Sequence, residues 1–407
     1  MPPARVHRAR WIIPASGPAI PDGAVVSAGG RIERIGPWRR IRPHLGPSDT
    51  VAEFPDAAIL PGLVNGHTHL AYSQRGTRKA QRGTKNFAAW IARLTARRLA
   101  SGRAALARAV RDGARLSAAA GTAAGADLTP DLKAARVLVR APGCWTVFGE
   151  VFRFGEAGLR HLANVVQNLE ALAREGGLRV GLSPHTPWTV GPEVFLAARQ
   201  AADARGWPIT THLHETLDEL AMYERGTGPL SRWMRRVGVL PRGWKAPRQR
   251  PIPLLAEAGF FRGPVLVAHA NYLADEEIAI LVRSGSSVAF CPRSHAFFRH
   301  TGHPWRQLLE AGVNVCLGTD SLASSPSLSV LDEARFLFER EAPADPRTLL
   351  EMMTVRGARA LGLEAEFGDL RPGLHAALCI VGPLPETADP LAAVLTGGGG
   401  ICRILRH

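Results

Sequence analysis

Cysteine is scarce and badly placed for pairing. Cys144, Cys291, Cys316, Cys379 and Cys402 are odd in number and form no C-x-x-C unit. That pattern excludes a disulfide-stapled scaffold, and reduced thiols in a cytoplasmic protein are expected. Long apolar runs are also missing. None could span a bilayer, and the N-terminal Trp11-Ile12-Ile13 stretch is stopped by Pro14, so neither a membrane span nor a secretory leader is expected. There is no G-x-G-x-x-G or Walker motif to argue for a doubly wound nucleotide-binding sheet, and no internal repeat. The formal charge is +15 and the pI near 10.8. Yet the excess is almost all arginine, scattered except for a cluster at 242–250, and lacks any finger, RNP-like motif or aromatic-interleaved patch. Nucleic acid is therefore not an expected partner, and attraction of an anionic substrate accounts for the charge at least as well.

What is present suits a large enzyme. The chain has 407 residues, 46% of them hydrophobic, enough for an α/β barrel with an accessory domain. Residues 1–56 read as short strands between Gly/Pro turns, with a hairpin at Gly29-Gly30, and residues 363–407 are similarly strand-rich. The two ends are expected to pack together as a small β-sandwich domain. Residues 57–362 alternate apolar strands with amphipathic helices such as Phe87 to Arg98 and Arg103 to Ala120. That alternation favours a (β/α)8 TIM-like barrel. The stretch 226–260, rich in Gly, Pro and basic residues, reads as an insertion.

Chemistry in such barrels sits at the C-terminal ends of the strands. The apolar run Ala57 to Leu60 is read as a buried strand leading into Pro61-Gly62-Leu63-Val64-Asn65-Gly66-His67-Thr68-His69-Leu70. Strand side chains alternate faces, so His67 and His69 point the same way and offer half of a metal site. Later strand ends carry His185, His212-Leu213-His214-Glu215, His269, Arg293-Ser294-His295 and Thr319-Asp320. A lone buried histidine is more often structural than functional. Buried charges at so many neighbouring strand ends are costly unless paired or metal-bound. Nitrogen and oxygen donors without cysteine suit zinc or ferrous iron, and a carboxylate outside the ligand set, Glu215, would shuttle protons. On residue grounds His212 and His214 are equally good ligands, both placed on one strand face.

These motifs together resemble the amidohydrolase superfamily, in particular its mononuclear aminohydrolases and chlorohydrolases acting on heteroaromatic rings. The resemblance rests on 60–69, His212 to Thr216, His269 and Leu317 to Asp320. It implies that His67, His69, His212 and Asp320 hold one divalent metal, zinc first and Fe2+ second. It implies further that Glu215 moves protons, that His269 orients the nucleophilic water, and that Asp320 doubles as a base. The carbamylated lysine of binuclear members has no candidate among the few lysines. The resemblance also selects His212 over His214, and places His185, Phe87, Trp90 and Glu150 against the substrate. A narrower similarity, through 181–187, Gly228-Pro229-Leu230, 291–294 and 318–321, is to the members that deaminate aminodeoxyfutalosine in the alternative menaquinone pathway. A carboxylate on such a nucleoside invites an arginine clamp, with Arg293, Arg75, Arg78 and Arg82 the candidates. His295 stands where those relatives often carry Asn. The alternatives are deamination of S-adenosylhomocysteine, methylthioadenosine, adenosine or guanine, and triazine dechlorination. The expected partners are a small nucleoside and, at most, a second copy of the chain.

Overall fold

The computed structural model describes residues 3–73, 83–176, 178–341, 344–387, 389–397 and 400–405. At the N-terminus, β1 (Arg5–Ile12), β2 (Ile20–Ala28), β3 (Arg31–Pro37) and β4 (Thr50–Pro61) lie in one sheet. The β2–β3 hairpin turns at Gly29 and Gly30, with φ of 56° and 79°. Two successive residues with positive φ make glycine the residue that costs least there.

The next eight strands are β5 (Leu63–Thr68), β6 (Thr122–Thr129), β7 (Cys144–Val151), β8 (Arg179–Pro184), β9 (Thr210–Leu213), β10 (Leu266–His269), β11 (Ser287–Phe290) and β12 (Asn314–Leu317). They pair in parallel as two runs of four, β5 to β8 and β9 to β12. Bridges at Leu182–Ile209 and Thr68–Asp320 join the runs, so the ring closes as a (β/α)8 barrel. The closing seam between β5 and β12 is tight. A Cβ on Gly66 would meet Cys316 Sγ at 2.5 Å, and one on Gly318 would meet His67 Cβ at 2.8 Å. Asn65 stitches the same seam, donating from Nδ2 to Thr319 Oγ1 at 2.8 Å and accepting from the Thr319 amide at 3.2 Å. Inside, Val64, Ala124, Ala126, Phe148, Ala289 and Cys316 are fully buried and plug the barrel with the helix Val355–Ala360. The open end is therefore the C-terminal one, where packing leaves room for chemistry.

Finally β13 (Leu378–Gly382) and β14 (Gly400–Leu405) return to the first sheet, giving the order β14-β13-β4-β1-β2-β3. Both ends of the chain thus build one sheet. Two expectations shift. Ala57 to Leu60 belongs to β4, which pairs with β1 and β13, and the first barrel strand starts only after Gly62. The stretch 363–407, expected to be strand-rich, also holds a helix, Pro390–Leu395, whose N-terminus is capped by the Asp389 carboxylate. The insertion folds into the helices Gly228–Arg236 and Pro251–Glu257. No helix among the described residues is long and apolar enough to cross a membrane.

Candidate active site

His67 is wholly buried in β5, and neither of its ring nitrogens has a hydrogen-bond partner. Leaving such a group unpaired costs about 1–3 kcal/mol. Two more imidazoles face it. His69 and His212 place Nδ1 3.0 Å from the carbonyl oxygens of Leu128 and His185. A carbonyl can only accept, so each Nδ1 donates, and Nε2 is the atom each ring is left to offer a metal. Those two Nε2 atoms lie 3.1 Å apart. Facing lone pairs repel, unless a cation sits between them.

The donor atoms of His67, His69 and His212 all lie within 4.8 Å of one another. Tetrahedral coordination at about 2.1 Å implies donor separations of about 3.4 Å, so the set fits one divalent ion. Asp320 is the carboxylate placed to offer an oxygen. Its Oδ1 is 4.0 Å from His69 Nε2, while Oδ2 accepts from the hydroxyls of Ser294 at 2.8 Å and Ser324 at 2.6 Å. Those two bonds fix the carboxylate and leave Oδ1 for the ion. Asp320 and His269 sit at strand ends with φ of 54° and 71°. Such left-handed backbone in non-glycine residues is a strain that concentrates at functional sites.

Glu215 and His269 flank this cluster, with Oε1 and Nε2 3.7 Å apart. Burial, with help from Asp320 and Glu219, pushes the Glu215 carboxyl well above its ordinary range. Burial first, then the charges of His69, His300 and His295, pushes His269 down to about 3. A carboxyl that holds its proton more tightly than usual thus stands beside an imidazole that holds one less tightly, a pairing suited to giving and taking protons. The Glu215 backbone is pinned on both sides. Its amide donates to Glu219 Oε2 at 3.1 Å, and its carbonyl accepts from Asn271 Nδ2 at 2.8 Å.

His214 is not equivalent to His212. At φ 53° it leaves the strand, and its ring turns to the Tyr272 carbonyl at 3.0 Å and to Glu277 at 3.3 Å, which Arg250 holds at 2.8 Å. The two do not share a face, because alternation ends where the extended backbone does. His295 is also remote from the ion cluster: its Nδ1 faces Asn271 Oδ1 at 3.0 Å, one step behind Glu215.

Above the cluster lies a cavity of about 210 Å³ whose lining includes Phe87, Trp90, Glu150 and His185. His185 Nδ1 is 2.9 Å from Thr189 Oγ1, and its Nε2 is 3.9 Å from Glu150 Oε1. Phe87 and Trp90 share a helix, Phe87–Ala100, and Trp90 Nε1 donates to the Ala323 carbonyl at 3.4 Å. Arg293 is the exception among the proposed substrate contacts. It lines a different cavity, and its guanidinium is taken up by Glu333 at 2.8 Å, Asp332 at 3.5 Å and Ser327 Oγ at 3.0 Å. An arginine so engaged braces the helix Pro292–Phe297, which follows β11, against the helix Val330–Arg340 and is not available as a clamp. Arg75, Arg78 and Arg82 lie outside the described residues.

The sequence reading missed Tyr72, Arg98, Trp188 and Trp233, which also line the cavity. Tyr72, three residues after His69, could have been found by spacing alone. Trp233 comes from the insertion, whose distance from the site no local pattern reveals.

A (β/α)8 barrel with three imidazoles and a carboxylate at its C-terminal mouth defines a metal-dependent hydrolase. Residues 58–399 match the amidohydrolase family, and the chain belongs to it. It is thus a hydrolase acting on carbon–nitrogen bonds. The 5-methylthioadenosine/S-adenosylhomocysteine deaminase of Moorella thermoacetica is 31% identical over 395 residues, 91% of this chain and 83% of that protein. The aminodeoxyfutalosine deaminase of Deinococcus radiodurans is 30% identical over 372 residues, 85% of this chain and 81% of that protein. Among solved structures, the aminofutalosine deaminase of Helicobacter pylori in complex with methylthio-coformycin superposes with a TM-score of 0.84 at 20% identity, over 99% of this chain and 98% of that one. A zinc-bound adenosine deaminase from Xanthomonas campestris gives 0.81 at 24% identity, over 100% of this chain and 92% of that one.

Proposed function

We propose that this protein removes the exocyclic amine of an adenine nucleoside by hydrolysis, with aminodeoxyfutalosine as the first candidate substrate. The observation that carries the reading is the placement of the Glu215–His269 pair beside the imidazole cluster, under one aromatic-walled cavity. The names of the Deinococcus and Moorella relatives support an adenine nucleoside. The name of the Moorella relative makes methylthioadenosine and S-adenosylhomocysteine the second reading.

His67, His69, His212 and Asp320 would hold one divalent ion, zinc before iron. Such an ion supplies Lewis acidity, which lets a water molecule act as nucleophile near neutral pH. Glu215 delivers a proton to the ring nitrogen next to the amine-bearing carbon, so negative charge does not build there. His269, neutral and facing Glu215, holds the water and accepts its proton, with Asp320 as the alternative acceptor. That proton then goes to the departing amine, and the hydroxyl proton left on the same carbon returns to Glu215. A carbon–oxygen bond forms, the carbon–nitrogen bond breaks, and water is consumed as ammonia leaves. His185 and Glu150 face the sugar and base, and Phe87 and Trp90 cover them. The protein is read as cytoplasmic.

The test is ammonia release from aminodeoxyfutalosine, methylthioadenosine, S-adenosylhomocysteine, adenosine and guanine, with chloride release from a chlorotriazine as the contrasting arm. Turnover of an adenine nucleoside well above the others supports the reading. Chloride release without ammonia release overturns it.

A further inference from the structure

The helix Phe87–Ala100 lies along the cavity wall. Phe87, Trp90, Ile91, Leu94, Thr95 and Arg98 all line the cavity, at the three- and four-residue spacing of one helical face. The stripe runs about 16 Å along the axis and is apolar apart from Thr95 and Arg98. Arg98 is half-buried there, while Arg93 and Arg97 on the same helix point to solvent. Among the described lining residues Arg98 is the only lysine or arginine. Unlike Arg293, it has no carboxylate paired with it among the described residues. Its charge falls on the Tyr72 hydroxyl and on Glu150, so the guanidinium is turned toward that wall of the cavity.

Resting on the deaminase reading, we propose that Arg98 is a specificity residue that binds a carboxylate on the far end of the nucleoside's 5′ substituent. The ring to be deaminated must reach Glu215 and the imidazole cluster, so any extended substituent has to run along the remaining wall. A planar guanidinium that bonds the Tyr72 hydroxyl and keeps further donors in a largely apolar cavity recognises a carboxylate through two parallel hydrogen bonds. A neutral thioether tail gains nothing from it. The substrates favoured by this site are adenine nucleosides with an acidic tail. Both aminodeoxyfutalosine and S-adenosylhomocysteine qualify, and methylthioadenosine does not.

The test is steady-state kinetics of the metal-loaded enzyme on S-adenosylhomocysteine and its methyl ester, and on aminodeoxyfutalosine and its methyl ester. In each pair only the acidic group changes. Arg98→Met should lower the acid-to-ester ratio of kcat/KM about 30-fold for the matching pair, chiefly through KM. Arg98→Lys, which keeps the charge but not the fork, should restore part of it and covers the event that the methionine variant misfolds. The pair that responds identifies an amino-acid or an aryl carboxylate. A ratio within threefold of wild type for both pairs overturns the assignment and leaves Arg98 as a counter-charge for Glu150. A wild-type enzyme that releases ammonia from none of the four, nor from methylthioadenosine, adenosine or guanine, overturns the deaminase reading itself, whereas one that deaminates only the nucleosides without an acidic tail overturns Arg98's role alone.

Discussion

The chain uses His-x-His twice, and the two copies behave differently. In the first, on β5, His67 stays in the strand and His69 follows at φ −123°. Both rings reach the same cluster. In the second, after β9, His212 enters the cluster but His214 swings away at φ 53° into a pocket with Glu277 and Arg250. Identical residues at identical spacing thus divide into three candidate ligands and one brace. Two-residue alternation is a property of extended backbone, and one left-handed residue cancels it. The left-handed turn is useful in itself: it aims Glu215 at the cluster while the Glu219 carboxylate accepts the amides of both His214 and Glu215, each at 3.1 Å.

The largest effect separating the two copies is expected on metal content. His67→Ala or His212→Ala should drop bound metal well below one equivalent and activity by more than about 10³-fold, whereas His214→Ala should keep close to one equivalent. Elemental analysis reads this directly, and a His214→Ala protein without metal would reverse the comparison. Next in size is Glu215→Gln. It should lose about 10²–10⁴-fold in kcat with metal retained, because only the proton carrier is removed. Near-normal turnover in that variant would give its role to another residue.

His214→Ala should register on stability, by about 1–3 kcal/mol, since the Tyr272 carbonyl would lose its Nδ1 donor and a void would open beside buried Glu277. A urea midpoint equal to wild type would show that the brace is dispensable. A separate effect concerns acid. Burial pushes His295 and His303 down to about 3, from an unfolded value near 6.5. Their folded forms stay neutral while the unfolded chain takes up protons. Stability is therefore fully present above about pH 6.5 and falls as pH drops toward 3, by up to about 1.4 kcal/mol per pH unit for each group. Denaturant melts at pH 7, 6 and 5 should show that decline, and a flat or rising series would contradict it.

What was legible in the sequence follows the same division. The barrel was readable because its strands are apolar runs ending in polar residues, and β5's histidines because regular strand geometry carries them. His214's departure was not readable, since a positive φ at histidine has no local signature. Arg293 looked like a clamp because a strand end pointed toward the mouth. Only the structure reveals Glu333, forty positions later, already holding it. Arg98 was hidden in an ordinary-looking helix, one of three nearby arginines distinguished only by which face meets the cavity.

The seam sealed by Gly66 and Gly318 has one more consequence. His67 and Asp320 come from the first and last staves of the ring, whose neighbours Asn65 and Thr319 are 254 positions apart yet hydrogen-bonded. An ion gripped by both would act as a clasp across the joint, so affinity for it and completion of the ring become one equilibrium. A chain with its barrel ajar could not hold the ion, and hydrolytic power would be withheld until assembly is finished.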